Sequence, residues 1–146
     1  MLKITKWPMP PTSNKLYSSF RGRLVKSKDG RAYDDKLDLF KMLYKRKLDV
    51  VKNQLKSLIE EHGKCLKIST VFVFHKNKVI GQKGQMKKLD ATNRIKQVHD
   101  HLARILEIDD CYFTNSVIDK ATCEHPKEEQ VIITISSGQL IRFEDL

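Results

Sequence analysis

A long run of apolar residues between positions 31 and 61 constrains the fold of this chain more than any other feature. The apolar positions recur at steps of three and four with lysines between them, which is typical of an amphipathic helix that buries one face. They are Leu37, Phe40, Leu43, Tyr44, Leu48, Val51, Leu55, Leu58 and Ile59. Gly63 follows at a position typical of a helix C-terminus. The sequence therefore predicts a long helix over about residues 31–61.

Segments rich in β-branched and aromatic residues surround this helix and predict the strands of a sheet. Strands are expected over residues 2–7, 66–75, 111–118 and 129–135, and a second helix over 92–107. Residues 20–28 are basic and lead to the turn signal Asp29-Gly30, which fits either a small hairpin or a loop. Residues 1–146 show no repeat and no domain boundary. The predicted fold is a single mixed α/β (α+β) domain with a small mixed sheet, one long helix and one medium helix.

The charge of the chain indicates a polyanionic partner. Lysine and arginine total 28 against 18 acidic residues, which gives a formal net charge of +10. Each basic residue placed on a phosphate releases condensed counterions, so an excess of this size favours nucleic-acid binding. Charge alone does not distinguish nucleic acid from an acidic membrane surface. No apolar segment approaches the roughly 20 residues that a spanning helix requires, so we expect no membrane partner.

The number and spacing of the cysteines indicate the cellular compartment of the protein. Cys65, Cys111 and Cys123 are odd in number and far apart, which fits reduced thiols in the cytoplasm better than a disulfide framework. No C-x-x-C pair of the kind used by structural zinc sites is present. We therefore expect a cytoplasmic protein without a zinc site or a small-molecule cofactor.

Polar residues with the chemistry of a nuclease surround the predicted second helix. Asp90 stands just before it, Lys96 lies near its start, and Asp109 and Asp110 follow its end. Phosphodiester hydrolysis uses oxygen ligands for Mg²⁺, one or two carboxylates per ion, and a lysine can neutralise charge at the phosphorus. A helix of about 16 residues is roughly 24 Å long. These carboxylates therefore meet only if the chain doubles back beside the helix start.

Each of these residues also has a purely structural explanation, and the residue chemistry leaves both open. Asp90 or Thr92 can cap the helix by accepting backbone N–H bonds. Asp109-Asp110 can form a solvated turn. Lys96 can pair with Asp100 on the helix surface.

The order of these residues resembles the RusA-type Holliday junction resolvases, which are endonucleases of bacteria and their phages. The family signature is D-x-D-N-x-x-K, followed by an Asp on the same helix and a later D-D pair. The chain offers Asp90, Asn93, Lys96, Asp100 and Asp109-Asp110 in that order. An upstream block is also similar, with Pro10, Pro11, Asn14, Tyr17, Ser27, Gly30, Ala32 and Tyr33 as its matching residues.

The resemblance implies a mixed α/β fold and a symmetric homodimer that cuts four-way DNA junctions by paired, Mg²⁺-dependent nicks, with Mn²⁺ as an alternative ion. By position, it implies that Asp90, Asp109 and Asp110 are the metal carboxylates and that Lys96 stabilises the transition-state phosphate. The candidate DNA contacts are Lys83, Lys87, Lys88, Asn93, Arg94 and Asn14.

Thr92 departs from the family signature, which has a second Asp at this position. A hydroxyl is a weaker ligand for a hard divalent cation than a carboxylate. Three outcomes are open. Thr92 holds a metal-bound water while the other carboxylates suffice, Asp100 takes over as a ligand, or the chain binds junctions without cutting them well.

Two further functions fit the same sequence. A junction- or duplex-binding protein without catalysis would use the same basic surface and would explain Thr92. A basic RNA-associated protein would place the lysine-rich long helix on phosphates and use Asp90 as a cap. RNA readers more often expose aromatic residues for stacking, whereas the Tyr and Phe residues here mostly fall in apolar stripes.

Other prominent side chains are expected to be structural. Trp7 is predicted to pack at the edge of the core or in a dimer contact. His99 and His101 are predicted to lie at the surface or in an interface. The lysine-rich loop of residues 76–88 immediately precedes Asp90 and is predicted to contact DNA.

Overall fold

The architecture is a sheet whose side chains alternate between a buried face and a half-exposed face. The computed structural model describes residues 1–12, 15 and 17–146. Its elements are β1 (Leu2–Trp7), β2 (Tyr17–Phe20), β3 (Arg23–Lys26), α1 (Lys28–Leu43), α2 (Lys45–His62), β4 (Leu66–His75), α3 (Lys76–Val79), α4 (Ile95–Leu106), β5 (Phe113–Cys123) and β6 (Gln130–Ser137). A short 3₁₀ turn, Thr92–Arg94, leads directly into α4.

The four-stranded sheet is mixed and has the order β1-β6-β4-β5. β6 pairs antiparallel with both β1 and β4, while β5 pairs parallel with β4. Parallel neighbours need a crossover connection, and here residues 76–112 provide it and include α4. β2 and β3 form a separate two-stranded antiparallel sheet. The predicted α+β class is confirmed.

The core lies between one face of this sheet and the helices. In β4, every second residue is buried: Leu66, Ile68, Thr70, Phe72 and Phe74. The same alternation buries Val131, Ile133 and Ile135 of β6. Leu37 and Phe40 of α1, Leu55 of α2, and Leu102 and Leu106 of α4 complete this cluster. Period-two burial in the strands and an apolar stripe on each helix therefore meet in a single core.

Trp7 packs inside the core, and not at its edge or in a dimer contact as predicted. The register of β1 against β6 shifts between Ile4 and Trp7, and Lys6 adopts a positive φ of 61°. This irregularity returns the Trp7 side chain to the buried face, where none of it is exposed. Its indole N–H donates a hydrogen bond to the Tyr33 hydroxyl at 2.9 Å, so β1 is tied to α1.

The helix predicted over residues 31–61 is present as two helices, α1 and α2. Tyr44 separates them with φ −111° and ψ 20°, outside the helical region, although its N–H still bonds to the Phe40 carbonyl at 2.9 Å. The Tyr44 ring packs on the Phe40 ring with a centroid distance of 4.9 Å. The apolar repeat continues through this interruption, which explains why the sequence pattern indicated one helix. Gly63 ends α2 with φ 90°, as predicted.

Several other boundaries agree with the sequence patterns. β4 spans the predicted residues, α4 lies within the predicted second helix, and residues 17–26 adopt the hairpin alternative. β5 starts at Phe113 and is longer than predicted, whereas β6 starts at Gln130. Among the described residues, none of the helices is both long and apolar enough to cross a membrane.

Candidate active site

The Asp90 carboxylate organises the turn that starts α4. Its Oδ1 accepts hydrogen bonds from the Thr92 N–H at 3.0 Å, the Thr92 hydroxyl at 2.7 Å and the Asn93 N–H at 3.3 Å. The Thr92 hydroxyl is the main cause that lowers the pKa of Asp90 below its ordinary value. Asp90 is therefore an exposed, ionised carboxylate with a fixed orientation. It accepts backbone N–H bonds as the sequence allowed, but the N-cap positions of the 3₁₀ turn and of α4 are Ala91 and Arg94.

Lys120 is a further cation beside Asp90. Its Nζ donates a hydrogen bond to the Leu89 carbonyl at 3.2 Å, and its charge contributes to lowering the pKa of Asp90. Lys120 lies on β5 opposite Phe72 of β4, 30 positions after Asp90 in the chain. Sequence reasoning missed this residue, because only the alternation of side chains along β5 places it on the helix-covered side of the sheet.

The chain reverses after α4 and brings Asp110 back beside the helix. Glu107 takes a left-handed conformation with φ 58° and ψ 44°, and the Ile108 N–H bonds back to the Ala103 carbonyl at 3.0 Å. The charge of Asp110 then contributes to raising the pKa of Lys96 and acts on His99 as well. α4 has 12 residues, so it is about 18 Å long, and without this reversal Asp110 would lie far from Lys96.

Lys96 is held on the exposed side of α4 by Asp100. The Lys96 ammonium lies 3.1 Å from Asp100 Oδ2, and this hydrogen bond is the main cause that raises the pKa of Lys96. The surface ion pair that the sequence allowed is therefore formed. Because 78% of the Lys96 side chain is exposed, its ammonium remains accessible to a bound phosphate.

His99 is half-buried against the start of β5. Its ring meets the Phe113 ring edge-on, with centroids 5.3 Å apart. Burial lowers the pKa of His99, and the charges of Asp100 and Asp110 oppose this shift. Its buried Nε2 has no hydrogen-bond partner within residues 1–12, 15 and 17–146. His101 is placed differently, with its Nε2 3.6 Å from Asp34 Oδ1 on α1.

The carboxylates do not form a preassembled metal centre in a single chain. Within the described part of the chain, no three His, Cys, Asp or Glu side chains are grouped so that they could hold an ion. Asp109 Oδ1 accepts the Cys111 N–H at 3.0 Å, which makes Asp109 a turn residue. Mg²⁺ usually takes only one or two protein carboxylates together with substrate phosphates. Asp90 and Asp110, both exposed, are compatible with that smaller donor set.

Arg94 has a structural role. Its Nη1 donates to the Pro10 carbonyl at 2.6 Å and its Nε to the Asp90 carbonyl at 3.1 Å. Its guanidinium carbon lies 5.4 Å from the centre of the Phe74 ring. Arg94 therefore ties the proline-rich segment and the site turn to β4.

The lysines that precede Asp90 in the chain lie together on a basic segment of the surface. Lys83, Lys87 and Lys88 are exposed in the segment after α3, where Ile80 and Met86 form an isolated antiparallel bridge. The Lys87 ammonium donates to the Asn77 carbonyl at 2.7 Å. Among the other predicted DNA contacts, Asn93 lies in the Asp90 turn, and Asn14 lies outside the described residues.

The family model for endodeoxyribonuclease RusA matches residues 8–136 of the chain, which includes the proline-rich segment, the Asp90 turn, α4 and the Asp109-Asp110 pair. No curated protein matches the chain.

Proposed function

Because the chain belongs to the RusA endodeoxyribonuclease family, we propose that it cuts four-way DNA junctions by paired, metal-dependent nicks. The family consists of divalent-metal-dependent nucleases that act on DNA junctions. The observation that carries the proposal for this chain is the reversal after α4. After this reversal the 3₁₀ turn Asp110–Tyr112 packs against α4, the helix that carries Lys96 and whose first turn is organised by Asp90.

Cleavage of a phosphodiester requires positive charge at the scissile phosphate. Lys96 supplies it as an exposed ammonium that stays protonated, because Asp100 and Asp110 raise its pKa. Asp100 also orients the Lys96 side chain while DNA is absent. Asp90 and Asp110 would hold a divalent ion, which would supply further positive charge and lower the pKa of a water molecule. We propose Mg²⁺ as this ion, with Mn²⁺ as its alternative.

Thr92 acts through Asp90 in this proposal. Its hydroxyl and N–H both donate to Asp90 Oδ1, so this oxygen is committed to the turn. The other carboxylate oxygen of Asp90 remains for a ligand. Asp109 likewise acts through Asp110. The Asp109 carboxylate accepts a hydrogen bond from the Cys111 N–H, and this bond fixes the turn that presents Asp110.

A homodimer accounts for paired nicks. A four-way junction has approximate two-fold symmetry, and a two-fold dimer places one site on each of two opposed strands. Each site is preceded in the chain by Lys83, Lys87 and Lys88. These lysines contact the phosphate backbone of the junction arms. Asn93 and Asn14 are further proposed contacts beside the site.

The proposal is tested with a labelled four-way junction and a duplex of matched length, each incubated with Mg²⁺, Mn²⁺ or EDTA. We expect paired nicks in the junction alone, present with either metal and absent with EDTA. Asp90→Asn should abolish cutting while junction binding persists. Asp38→Asn removes an exposed carboxylate on α1, whose ion pair with Lys41 is 3.4 Å long, and serves as the matched control. Cutting without metal, or equal cutting of both DNAs, would contradict the proposal.

Thr92 also favours a second function, a junction-binding protein that does not cut. The hydroxyl occupies the position of a family carboxylate, and the described residues contain no group of three metal-binding side chains. Tight junction binding without nicks under either metal would establish this alternative.

A further inference from the structure

The hairpin of β2 and β3 exposes apolar and basic side chains together at its tip. Phe20 is 60% exposed and Leu24 is 75% exposed. The connecting turn is Arg21-Gly22, with φ values of 50° and 73°, which is the backbone of a tight two-residue hairpin. The Arg21 guanidinium carbon lies 5.3 Å from the centre of the Phe20 ring. The tip therefore presents a defined aromatic ring with a cation beside it.

The base of this hairpin is fixed by polar contacts to α1, which in turn contacts α4. The Lys26 ammonium lies 2.5 Å from Asp34 Oδ2, and Asp34 Oδ1 faces His101 of α4 at 3.6 Å. The Arg31 guanidinium donates to the Lys26 carbonyl at 3.2 Å. The hairpin is therefore anchored at its base while its tip is exposed to solvent and can contact a ligand.

The base of the hairpin also lies near α4, the helix that carries Lys96, because Asp34 contacts both Lys26 of β3 and His101 of α4. The cross-strand partners are Tyr17 with Lys26 at the base and Phe20 with Arg23 at the tip. Side chains alternate along each strand, so Phe20 and Arg23 point to the face opposite Tyr17 and Lys26.

The charge of the hairpin indicates the chemistry of the partner that it binds. Residues 15–28 contain no acidic side chain and five basic ones, Lys15, Arg21, Arg23, Lys26 and Lys28. A second copy of this chain, with its formal charge of +10, is poorly matched to such a surface. A phosphate backbone is well matched, and exposed aromatic residues next to cations are suited to stacking on bases.

The cost of inserting a ring depends on the structure of the DNA. In a continuous duplex the ring must first separate two stacked base pairs, which is unfavourable. At the centre of a four-way junction the terminal base pairs of the arms are stacked less firmly than base pairs within a duplex, so insertion costs less. We propose that the β2–β3 hairpin inserts Phe20 between base pairs at the junction centre and thereby sets the preference for junctions over duplex. This inference rests on the proposed function and names the element that recognises DNA structure.

The test compares the full-length wild-type protein with Phe20→Ala in binding assays with EDTA, so that no cutting occurs. We expect Phe20→Ala to lower junction affinity about tenfold and to change duplex affinity less than about twofold. A junction with 2-aminopurine at its central positions should brighten when it binds the wild-type protein, because the base becomes unstacked, and should brighten much less with the variant. Phe143→Ala removes another exposed phenylalanine, 87% exposed, and is the matched control.

The outcomes separate this inference from the proposed function. Equal loss of junction and duplex affinity in Phe20→Ala, or no loss, overturns the insertion role while the wild-type preference for junctions stands. A change from dimer to monomer in sedimentation also overturns it, because Phe20 would then be a subunit contact. A wild-type protein with no junction preference instead contradicts the proposed function, and this inference fails with it. An unchanged melting temperature of Phe20→Ala confirms that the fold is intact.

Discussion

At the residue scale, the pairing of Asp90 with Thr92 decides what the candidate site can bind. One oxygen of Asp90 accepts three hydrogen bonds from the turn, including one from the Thr92 hydroxyl at 2.7 Å. A carboxylate at position 92 would replace this donor by a second acceptor next to the first. Two adjacent carboxylates repel each other until a cation neutralises them, so the pair would favour a divalent ion.

Thr92→Asp should therefore raise metal-dependent cleavage of four-way junctions. We expect an increase on the order of tenfold at limiting Mg²⁺, in line with the effect of groups that contact metal ligands. Thr92→Ser keeps the hydroxyl donor and should cut at the wild-type rate. The measurement is the initial nicking rate across a Mg²⁺ titration, and unchanged or lower cleavage by Thr92→Asp with intact DNA binding would refute the argument.

The residue chemistry of the site was visible in the sequence, but its geometry was not. The resemblance to the RusA-type resolvases singled out Asp90, Lys96 and Asp110 as candidates, but the spacing could not show whether the chain doubles back after the helix. That reversal depends on the left-handed conformation of Glu107. Residues other than glycine and asparagine rarely adopt this conformation. The role of Arg94 was also hidden, because its partner carbonyl belongs to Pro10, 84 positions away in the chain.

At the element scale, the C-terminus of α4 carries backbone strain. Glu107 caps the helix with φ 58°, and its ion pair with Lys52 of α2 is 3.3 Å long with 72% of the Glu107 side chain exposed. An ion pair this exposed contributes little to stability. The left-handed conformation at Glu107 destabilises the protein by more than the exposed ion pair with Lys52 stabilises it, so glycine is the favoured residue at position 107.

Glu107→Gly should stabilise the protein by about 1 kcal/mol, which corresponds to roughly 3 °C in melting temperature for a chain of this size. Glu107→Ala removes the same carboxylate but keeps a Cβ, and it should leave the melting temperature unchanged or slightly lower. Thermal unfolding followed by circular dichroism measures both. A lower melting temperature for the glycine variant would mean that the Lys52 pair outweighs the backbone strain.

Elements with a strong local pattern were predicted well, and those fixed by tertiary contacts were not. The alternation of Leu66, Ile68 and Phe72 defined β4 because each of these side chains meets the same core. The interruption at Tyr44 left no signal, since its aromatic ring continues the apolar repeat while packing on Phe40. The parallel pairing of β5 with β4 likewise depends on a crossover that no single segment encodes.

At the scale of the whole molecule, the excess of positive charge governs DNA affinity. The hairpin of β2 and β3, the segment of residues 76–88 and the start of α4 all carry exposed lysines or arginines. With a formal charge of +10, the chain can neutralise several phosphates at once. Binding then releases counterions in proportion to the number of phosphates contacted.

Junction affinity should consequently fall by roughly a thousandfold between 50 and 200 mM salt if about six phosphates are contacted. Lys88→Ala should reduce the slope of log affinity against log salt by about one. Filter binding or fluorescence anisotropy over a salt series gives both values. A loss of less than about tenfold over this range would mean that few phosphates are bound and that the basic surface has another role.

The strand order also determines when, during synthesis and folding, the site comes into being. β1 pairs with β6, Leu2 opposite Ile135, and β6 lies between β1 and β4. The first strand therefore has no place in the sheet until β6 has been translated. Contacts between such distant segments form late, because the entropy of closing the intervening loop is lost first. A chain emerging from the ribosome carries Asp90 and Lys96 well before β5 pairs with β4 and fixes Asp110, so any ability to cut DNA is acquired only at the end of folding.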